Sequence, residues 1–454
     1  MAHLVDLAIQ NRLSGLNKHG RSITDEEPFF VADLGQIARQ HRRWKAAFPN
    51  VHPFYAVKCN TDPTLLKLLA ELGTGFDCAS IEELRAVLSL GVDPSRIVFA
   101  NPCKTVSSLV FARRVGVMHT TFDNLDELDT IKAYHPDAEL VLRIFASDSD
   151  ALIDFGEKFG ASTESTPLLL LRARELNLIV TGVSFHVGTG AINASAFIKA
   201  IQNAKTVFRQ AENLGFQMNL LDIGGGFQDS NFERIASAVH RSLCEEIPSN
   251  VRIIAEPGRY YARNAYTLAC KVISRRRQIG DPRKTGPDML YQNDGVYGSF
   301  MNVIMEKEIM HPSLVSPYPH SYGESVKRQQ GEHRYSVWGP TCDSMDCIVK
   351  DTALESEVKV GDWLKYKNMG GKSFLPFRAV FSMSGRLMNR TAYTTATATK
   401  FNGFPSDHDV IYIDSESENG SMKTGIPRAF HVRQQPEMIR IASPLEQGRY
   451  QASC

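Results

Sequence analysis

The sequence predicts an α/β fold: a (β/α)8 TIM barrel joined to a second, β-rich domain of sandwich or Greek-key type. Two observations carry this reading. Between residues 33 and 265, short β-rich runs alternate with amphipathic helical runs, and strand–helix alternation builds parallel sheets. Beyond residue 265 the alternation stops, and strand-like runs at 266–274, 336–338 and 363–367 are separated by turns containing Gly and Pro.

The strand runs are 52–58, 75–80, 96–101, 119–124, 139–146, 180–188, 220–226 and 252–258, eight in all. The clearest helix is 193–215, where Phe197, Ile201, Ala204, Phe208 and Ala211 recur at alternating spacings of three and four. Asn193 can cap its start and Gly215 its end. Eight such units fit the usual length of a closed barrel. A doubly wound open sheet has the same periodicity, so this pattern alone leaves it open. The barrel is assigned to residues 33–265, and the β-domain to 1–32 and 266–454. Segments 282–287 and 310–333 read as loops, and the basic run Arg275, Arg276, Arg277 as a solvated loop.

Composition excludes several classes. The chain has 454 residues, 43% hydrophobic and 22% charged, as in ordinary globular proteins. Lys+Arg is 51 and Asp+Glu is 50, so no net charge draws it to nucleic acid or anionic lipid. The eight cysteines include no C-x-x-C pair, which weighs against a zinc or redox motif. Scattered cysteines, no apolar leader and no long apolar span lead to the expectation of a cytoplasmic protein with reduced thiols and no bound metal.

In a barrel, chemistry collects where strands end. The first strand ends in Lys58, and burial of an amine there would lower its pKa and favour a nucleophile. Polar Asp77, Arg143 and His186 sit in otherwise apolar second, fifth and sixth strands. The seventh strand runs into Gly224, Gly225 and Gly226, whose backbone N–H groups can surround a phosphate. The eighth ends Glu256-Pro257-Gly258-Arg259, a carboxylate and a guanidinium three residues apart. A lysine, a phosphate turn, an arginine and a deep carboxylate together point to pyridoxal phosphate. That cofactor needs a Schiff-base lysine, a phosphate cradle and a partner for its ring nitrogen.

Seven segments resemble, in order, those of the ornithine decarboxylase family. They are Pro53-Phe54-Tyr55-Ala56-Val57-Lys58-Cys59-Asn60, Gly75-Phe76-Asp77-Cys78-Ala79-Ser80, Ser184-Phe185-His186-Val187-Gly188 and the Gly224–Gly226 triplet. Glu256 to Tyr261, Asn293-Asp294-Gly295-Val296-Tyr297-Gly298-Ser299-Phe300 and Trp338-Gly339-Pro340-Thr341-Cys342-Asp343 complete the set. The resemblance spans about residues 28 to 405. It implies that Lys58 condenses with the cofactor aldehyde, that Glu256 holds the ring nitrogen and that His186 stacks on the ring. It implies that Arg143 meets the ring hydroxyl, that Asp77 and Glu83 lie near Lys58, and that Gly224–Gly226, Arg259 and Thr189 hold the phosphate, with Tyr393 beside it. It implies a homodimer with shared sites, in which Cys342 and Asp343 come from the partner subunit. Cys342 would reprotonate the α-carbon, and Asp343, with Tyr297, would face the substrate's distal amine. Lys158 and Asp346 match a pair that bridges the dimer.

The pattern departs from the family in three places. Met305-Glu306 stands where the family carries Tyr-Asp, which alters the pocket for the distal amine. Asn368-Met369-Gly370 is followed by 21 extra residues, 371–391, before Ala392-Tyr393-Thr394. Gly371-Lys372-Ser373 is a translation that a splice donor can give, so the insert reads as a retained intron or a gene-model artefact. The region 104–129 is less basic than the family's antizyme-binding stretch, which weighs against antizyme as a partner. The expected activity is decarboxylation of an L-amino acid, ornithine to putrescine by default. The alternatives are another substrate such as leucine, because of Met305 and Glu306, and a non-catalytic protein of the antizyme-inhibitor type. Retention of Lys58, His186, Glu256, Arg259 and Cys342 favours the enzyme.

Overall fold

The computed structural model describes residues 2–18, 27–146, 158–188, 190–279, 286–315, 330–371 and 408–416. Thr189, Tyr393 and all of the insert beyond Gly371 lie outside the described residues.

Strand β1 (Phe29–Asp33) leads into a helix at Leu34–Ala47, whose first turn is capped by the Asp33 carboxylate on the Gln36 N–H. The barrel follows: β2 (Val51–Ala56), β3 (Gly75–Cys78), β4 (Ile97–Phe99), β5 (His119–Phe122), β6 (Glu139–Arg143), β7 (Ile179–Ser184), β8 (Leu220–Asp222) and β9 (Arg252–Ala255). Each strand pairs in parallel with the next, and β2 pairs with β9 through Val51↔Ile253, His52↔Ile254 and Pro53↔Ala255. That last pairing closes the ring, which a doubly wound sheet with two free edges cannot do. Phe54, Val98, Val141, Leu220 and Ile254 form a buried cluster of their own within the strands, so the barrel is a packed core.

The helices between strands follow the sequence signals closely. The expected helix at 193–215 runs Ser195–Asn213, with Asn193 Oδ1 accepting the Ser195 N–H at 3.0 Å and Gly215 at φ +86° ending it. After β3, Ser80 caps the helix Ile81–Leu88 by accepting the Glu83 N–H, while Glu83 reaches back to the Ala79 N–H at 2.7 Å. This reciprocal cap holds Glu83 close behind the end of β3.

The second sheet contains β10 (Tyr266–Arg276), β11 (Asp288–Gln292), β12 (Ser313–Leu314), β13 (Gln330–Trp338), β14 (Cys347–Ser356), β15 (Trp363–Tyr366) and β16 (Asp409–Ile413). Its order is β12-β15-β10-β11-β13-β14, and β1 joins it between β10 and β16. Two sequence expectations change here. Arg275 and Arg276 end a strand, and Arg275 is held between Asp288 and Glu357 with only 9% of its side chain exposed. The opposing carboxylates offset the burial of that guanidinium. Residues 310–333, expected as a loop, contain β12 and the start of β13.

Aromatic packing ties the end of the barrel to the helix Leu34–Ala47. Trp44 is fully buried and stacks on Phe232, with its ring also edge-on to Phe227 at 5.1 Å and to Tyr260 at 5.3 Å. Phe227 directly follows the glycine triplet and Tyr260 directly follows Arg259. One aromatic cluster therefore anchors both of the last two strand ends.

Candidate active site

A cavity of about 500 Å³ opens at the C-terminal ends of the barrel strands. Its wall includes Lys58, His186, Gly225, Gly226, Glu256, Arg259 and Glu306. These residues come from chain segments up to 248 positions apart, from Lys58 to Glu306, and the closed ring brings them together.

Lys58 lies in a short 3-10 turn, Val57–Cys59, two residues past the end of β2. Its Nζ donates to Asp77 Oδ2 at 2.7 Å. Burial lowers the pKa of this amine, but the charges of Asp77, Glu256 and Glu83 outweigh burial and hold it above the ordinary lysine range. This corrects the expectation of a pKa lowered by desolvation: the carboxylates around the amine keep it an ammonium ion.

Glu256 follows β9, and its N–H donates to Gly224 O at 2.7 Å. Its carboxyl is raised by burial and by the nearby charges of Asp222 and Asp77. His186 sits two residues past β7. Its Nδ1 accepts the Gly188 N–H at 3.0 Å, so the ring proton resides on Nε2. Burial, then the charges of Arg143 and Lys58, hold the imidazole well below its usual range, and it is neutral.

The glycine triplet is dictated by space. Gly224 has φ +63°, and a Cβ there would lie 2.2 Å from Phe185 O. A Cβ on Gly225 would fall 2.8 Å from both Glu256 O and His186 Nε2. The turn thus keeps its backbone open beside the imidazole and the carboxylate. Arg259 begins the short helix Arg259–Ala262 and pairs with Glu306 through both guanidinium ends, Nη1 to Oε2 at 2.7 Å and Nη2 to Oε1.

These residues fit pyridoxal phosphate. An amine and a carboxylate lie on one cavity wall, a side-chain-free turn can take a phosphate, and an arginine lies beside it. Asp77 Oδ1 is buried without a hydrogen-bond partner among the described residues.

Residues 34–263 match the family described as "Pyridoxal-dependent decarboxylase, pyridoxal binding domain", half of the chain. The chain belongs to the pyridoxal-dependent decarboxylases. Within them it is 44% identical to ornithine decarboxylase of Neurospora crassa over 90% of this chain and 85% of that protein. It is 42% identical to decarboxylase flvG of Aspergillus flavus, over 90% of each. Among solved structures it is similar to the arginine decarboxylase of Paramecium bursaria Chlorella virus bound to agmatine. That match has a TM-score of 0.76 at 33% identity, covering 90% of this chain and 100% of that one.

As in the sequence reading, this decarboxylase gathers Lys58, Asp77, Glu83, His186, the glycine turn, Glu256 and Arg259 at one end of the barrel. Arg143 ends β6 and acts on His186 and Glu256 through its charge, with its guanidinium 5.3 Å from the Phe159 ring centre. Seven expected site residues among the described ones are not in this cavity wall: Asp77, Arg143, Gly224, Tyr297, Met305, Cys342 and Asp343. Tyr297 donates to Asp343, and Asp343 also accepts the Met345 N–H at 2.9 Å, while Cys342 is exposed. Met305 is 69% exposed and also outside the wall. Asp346 is buried and accepts from Val296 N, Thr341 N and Thr341 Oγ1 of its own chain. Cys59 and Asp229 are among the wall residues that went unassigned in the sequence. Cys59 follows Lys58, with a thiol pushed up to about 11 by burial and therefore un-ionised. Asp229 is held by Gln40 Nε2 at 2.9 Å and by Arg43. Adjacency to Lys58 was the available signal for Cys59; Asp229 had none.

Burial pushes Glu83 up to about 7, with the Ala79 N–H pulling the other way. From its ordinary value of 4.5 up to about 7, the folded chain holds a proton that the unfolded chain releases. This contribution is complete below the unfolded value and is lost as pH rises through the folded one. Glu83→Gln should remove it. Between about pH 4.5 and 8, denaturant unfolding of the wild type should lose about 3 kcal/mol more than the variant. Equal slopes for the two proteins would contradict the shift.

Proposed function

We propose that the chain converts L-ornithine to putrescine and CO2, with pyridoxal phosphate held at the barrel's strand ends. The observation that carries this is one cavity wall bearing the Lys58 amine, the Glu256 carboxylate and the open glycine turn. When bound, the cofactor supplies an electron sink for the pair freed as CO2 leaves.

The protein's residues divide the remaining work. Lys58 rests as an ammonium and must lose a proton before it can attack an aldehyde. Asp77 Oδ2, at 2.7 Å, is placed to take it. Glu256 presents a carboxylate for the ring nitrogen. The neutral His186 ring offers a flat face without adding a positive charge. Gly224–Gly226 and Arg259 receive the phosphate, with Thr189 and Tyr393 assigned to the same group by the family pattern.

The charged side of the cavity supports a basic substrate. Glu306 lines it, whereas Met305 is exposed and outside it. Once a phosphate takes up Arg259, an apolar leucine side chain would leave Glu306 without a cation, and an unpaired enclosed carboxylate is costly. A phosphate on Arg259 would compete with Glu306 for the guanidinium, leaving the carboxylate for the substrate's distal amine. Release of CO2 should be at least about tenfold faster from ornithine than from lysine, arginine or leucine. Lys58→Ala should cut turnover by at least about a hundredfold. Turnover of leucine but not ornithine would overturn the substrate assignment.

We further propose a homodimer in which Cys342 and Asp343 of the partner subunit complete each cavity. Both residues lie outside the cavity wall of their own chain, and Cys342 is exposed. A second copy can supply a thiol proton donor and a second carboxylate. Gly371, where the insert begins, lines the same wall, with Arg259 Cγ 3.2 Å from where its Cβ would be. Mixing inactive Lys58→Ala and Cys342→Ala chains should restore about a quarter of wild-type activity, since half of the random pairs carry one intact site. No recovery on mixing would contradict shared sites.

A further inference from the structure

The carboxylate of Asp222 has no part in the chemistry described so far, yet it is fully buried at the end of β8. Strands β8 and β9 lie side by side with Asp222 opposite Ile254. Glu256 follows two residues later, just past the end of β9, where a continued twofold side-chain period puts it on the same side as Ile254. One oxygen of Asp222 is fixed: Oδ1 accepts the Gly224 N–H at 2.9 Å. The other, Oδ2, is buried and has no hydrogen-bond donor among the described residues. The Asp222 carboxyl adjoins that of Glu256.

Two ionised carboxylates in contact, both out of water, repel strongly, and one proton between them turns the contact into a short, charge-assisted hydrogen bond. The surrounding charges do not remove that need. Asp77 adds another negative group, Lys58 is already engaged by Asp77, and Arg143 is the remaining cation acting on the pair.

We infer that Asp222 is a positioning residue that shares one proton with Glu256. The pair then carries a single negative charge, and the free oxygen of Glu256 is aimed into the cavity. The inference rests on Glu256 being the partner of the ring nitrogen. It gives Asp222 two tasks at once, since the same side chain holds the first N–H of the phosphate turn and the ring-nitrogen carboxylate. Burial pushes Asp222 up to about 7, the Gly224 N–H and the bond to Glu256 opposing it, which agrees with a proton resident on the pair at neutral pH.

The test uses cofactor-free full-length protein: wild type, Asp222→Asn, Asp222→Ala and Glu256→Gln. Asparagine keeps the acceptor for Gly224 and supplies an N–H donor to Glu256 without a proton to share. Infrared difference spectra at neutral pH should contain the carbonyl stretch of an un-ionised carboxylic acid in wild type that Asp222→Asn lacks. Asp222→Asn should bind pyridoxal phosphate within about threefold of wild type, and Asp222→Ala at least about tenfold more weakly. If the alanine variant fails to fold, the infrared comparison decides alone. An identical acid band in wild type and Asp222→Asn overturns the shared proton, as does an asparagine variant as weak as alanine or an alanine variant as tight as wild type. Unchanged cofactor affinity in Glu256→Gln, with the acid band present in wild type, overturns instead the reading of Glu256 on which the inference rests.

Discussion

The ion pair between Lys58 and Asp77 is the constraint on which the site depends. Partial loss of hydration draws the proton off an amine, and three buried carboxylates close together repel one another. Here each problem offsets the other. Lys58 satisfies Asp77 directly at 2.7 Å, and its charge also acts on Glu256. Lys58 and Arg143 stand among Asp77, Asp222 and Glu256 and offset part of their charge. A cationic ring nitrogen suits such an acidic wall. The same attraction holds the resting lysine still, and in its proposed role a proton must leave before the amine attacks.

Rigid packing converts that charge balance into geometry. Trp44, Phe227, Phe232 and Tyr260 interlock behind the glycine turn and Arg259. The turn itself tolerates no side chain, because Phe185, His186 and Glu256 crowd it from three directions. Polar groups are thus fixed by apolar neighbours whose own positions are set by the helix Leu34–Ala47. A strand-end site on a closed barrel gains its precision in this way, with catalytic groups on short segments and the support beneath them.

Much of this was legible in the sequence, for physical reasons. Parallel barrel strands are buried on both faces and read as short apolar runs, so all eight were visible. Residues just past those runs had to face the open end, which brought out Lys58, His186, the glycines, Glu256 and Arg259. Charge coupling was not legible. The family resemblance placed Asp77 and Glu83 near Lys58, but nothing local to Lys58 says that their charges, with that of Glu256, outweigh burial, and the expected fall in its pKa turns into a rise. Arg275 was misplaced in the same way, since its partners Asp288 and Glu357 lie 13 and 82 residues away. In the second domain, β14 escaped notice because Cys347–Ser356 mixes Lys350, Asp351 and Glu355 into a half-exposed strand. Its pairing with β13, not its own pattern, makes it a strand.

The most direct test of the central claim is the titration of the Lys58 ammonium, followed by NMR of cofactor-free protein carrying nitrogen-labelled lysine. With Asp77 intact, the amine should stay protonated above the range of free lysine. In Asp77→Asn, burial should dominate and its titration should fall towards or below that range. A wild-type Lys58 that titrates below free lysine, unmoved by loss of the Asp77 charge, would contradict the account.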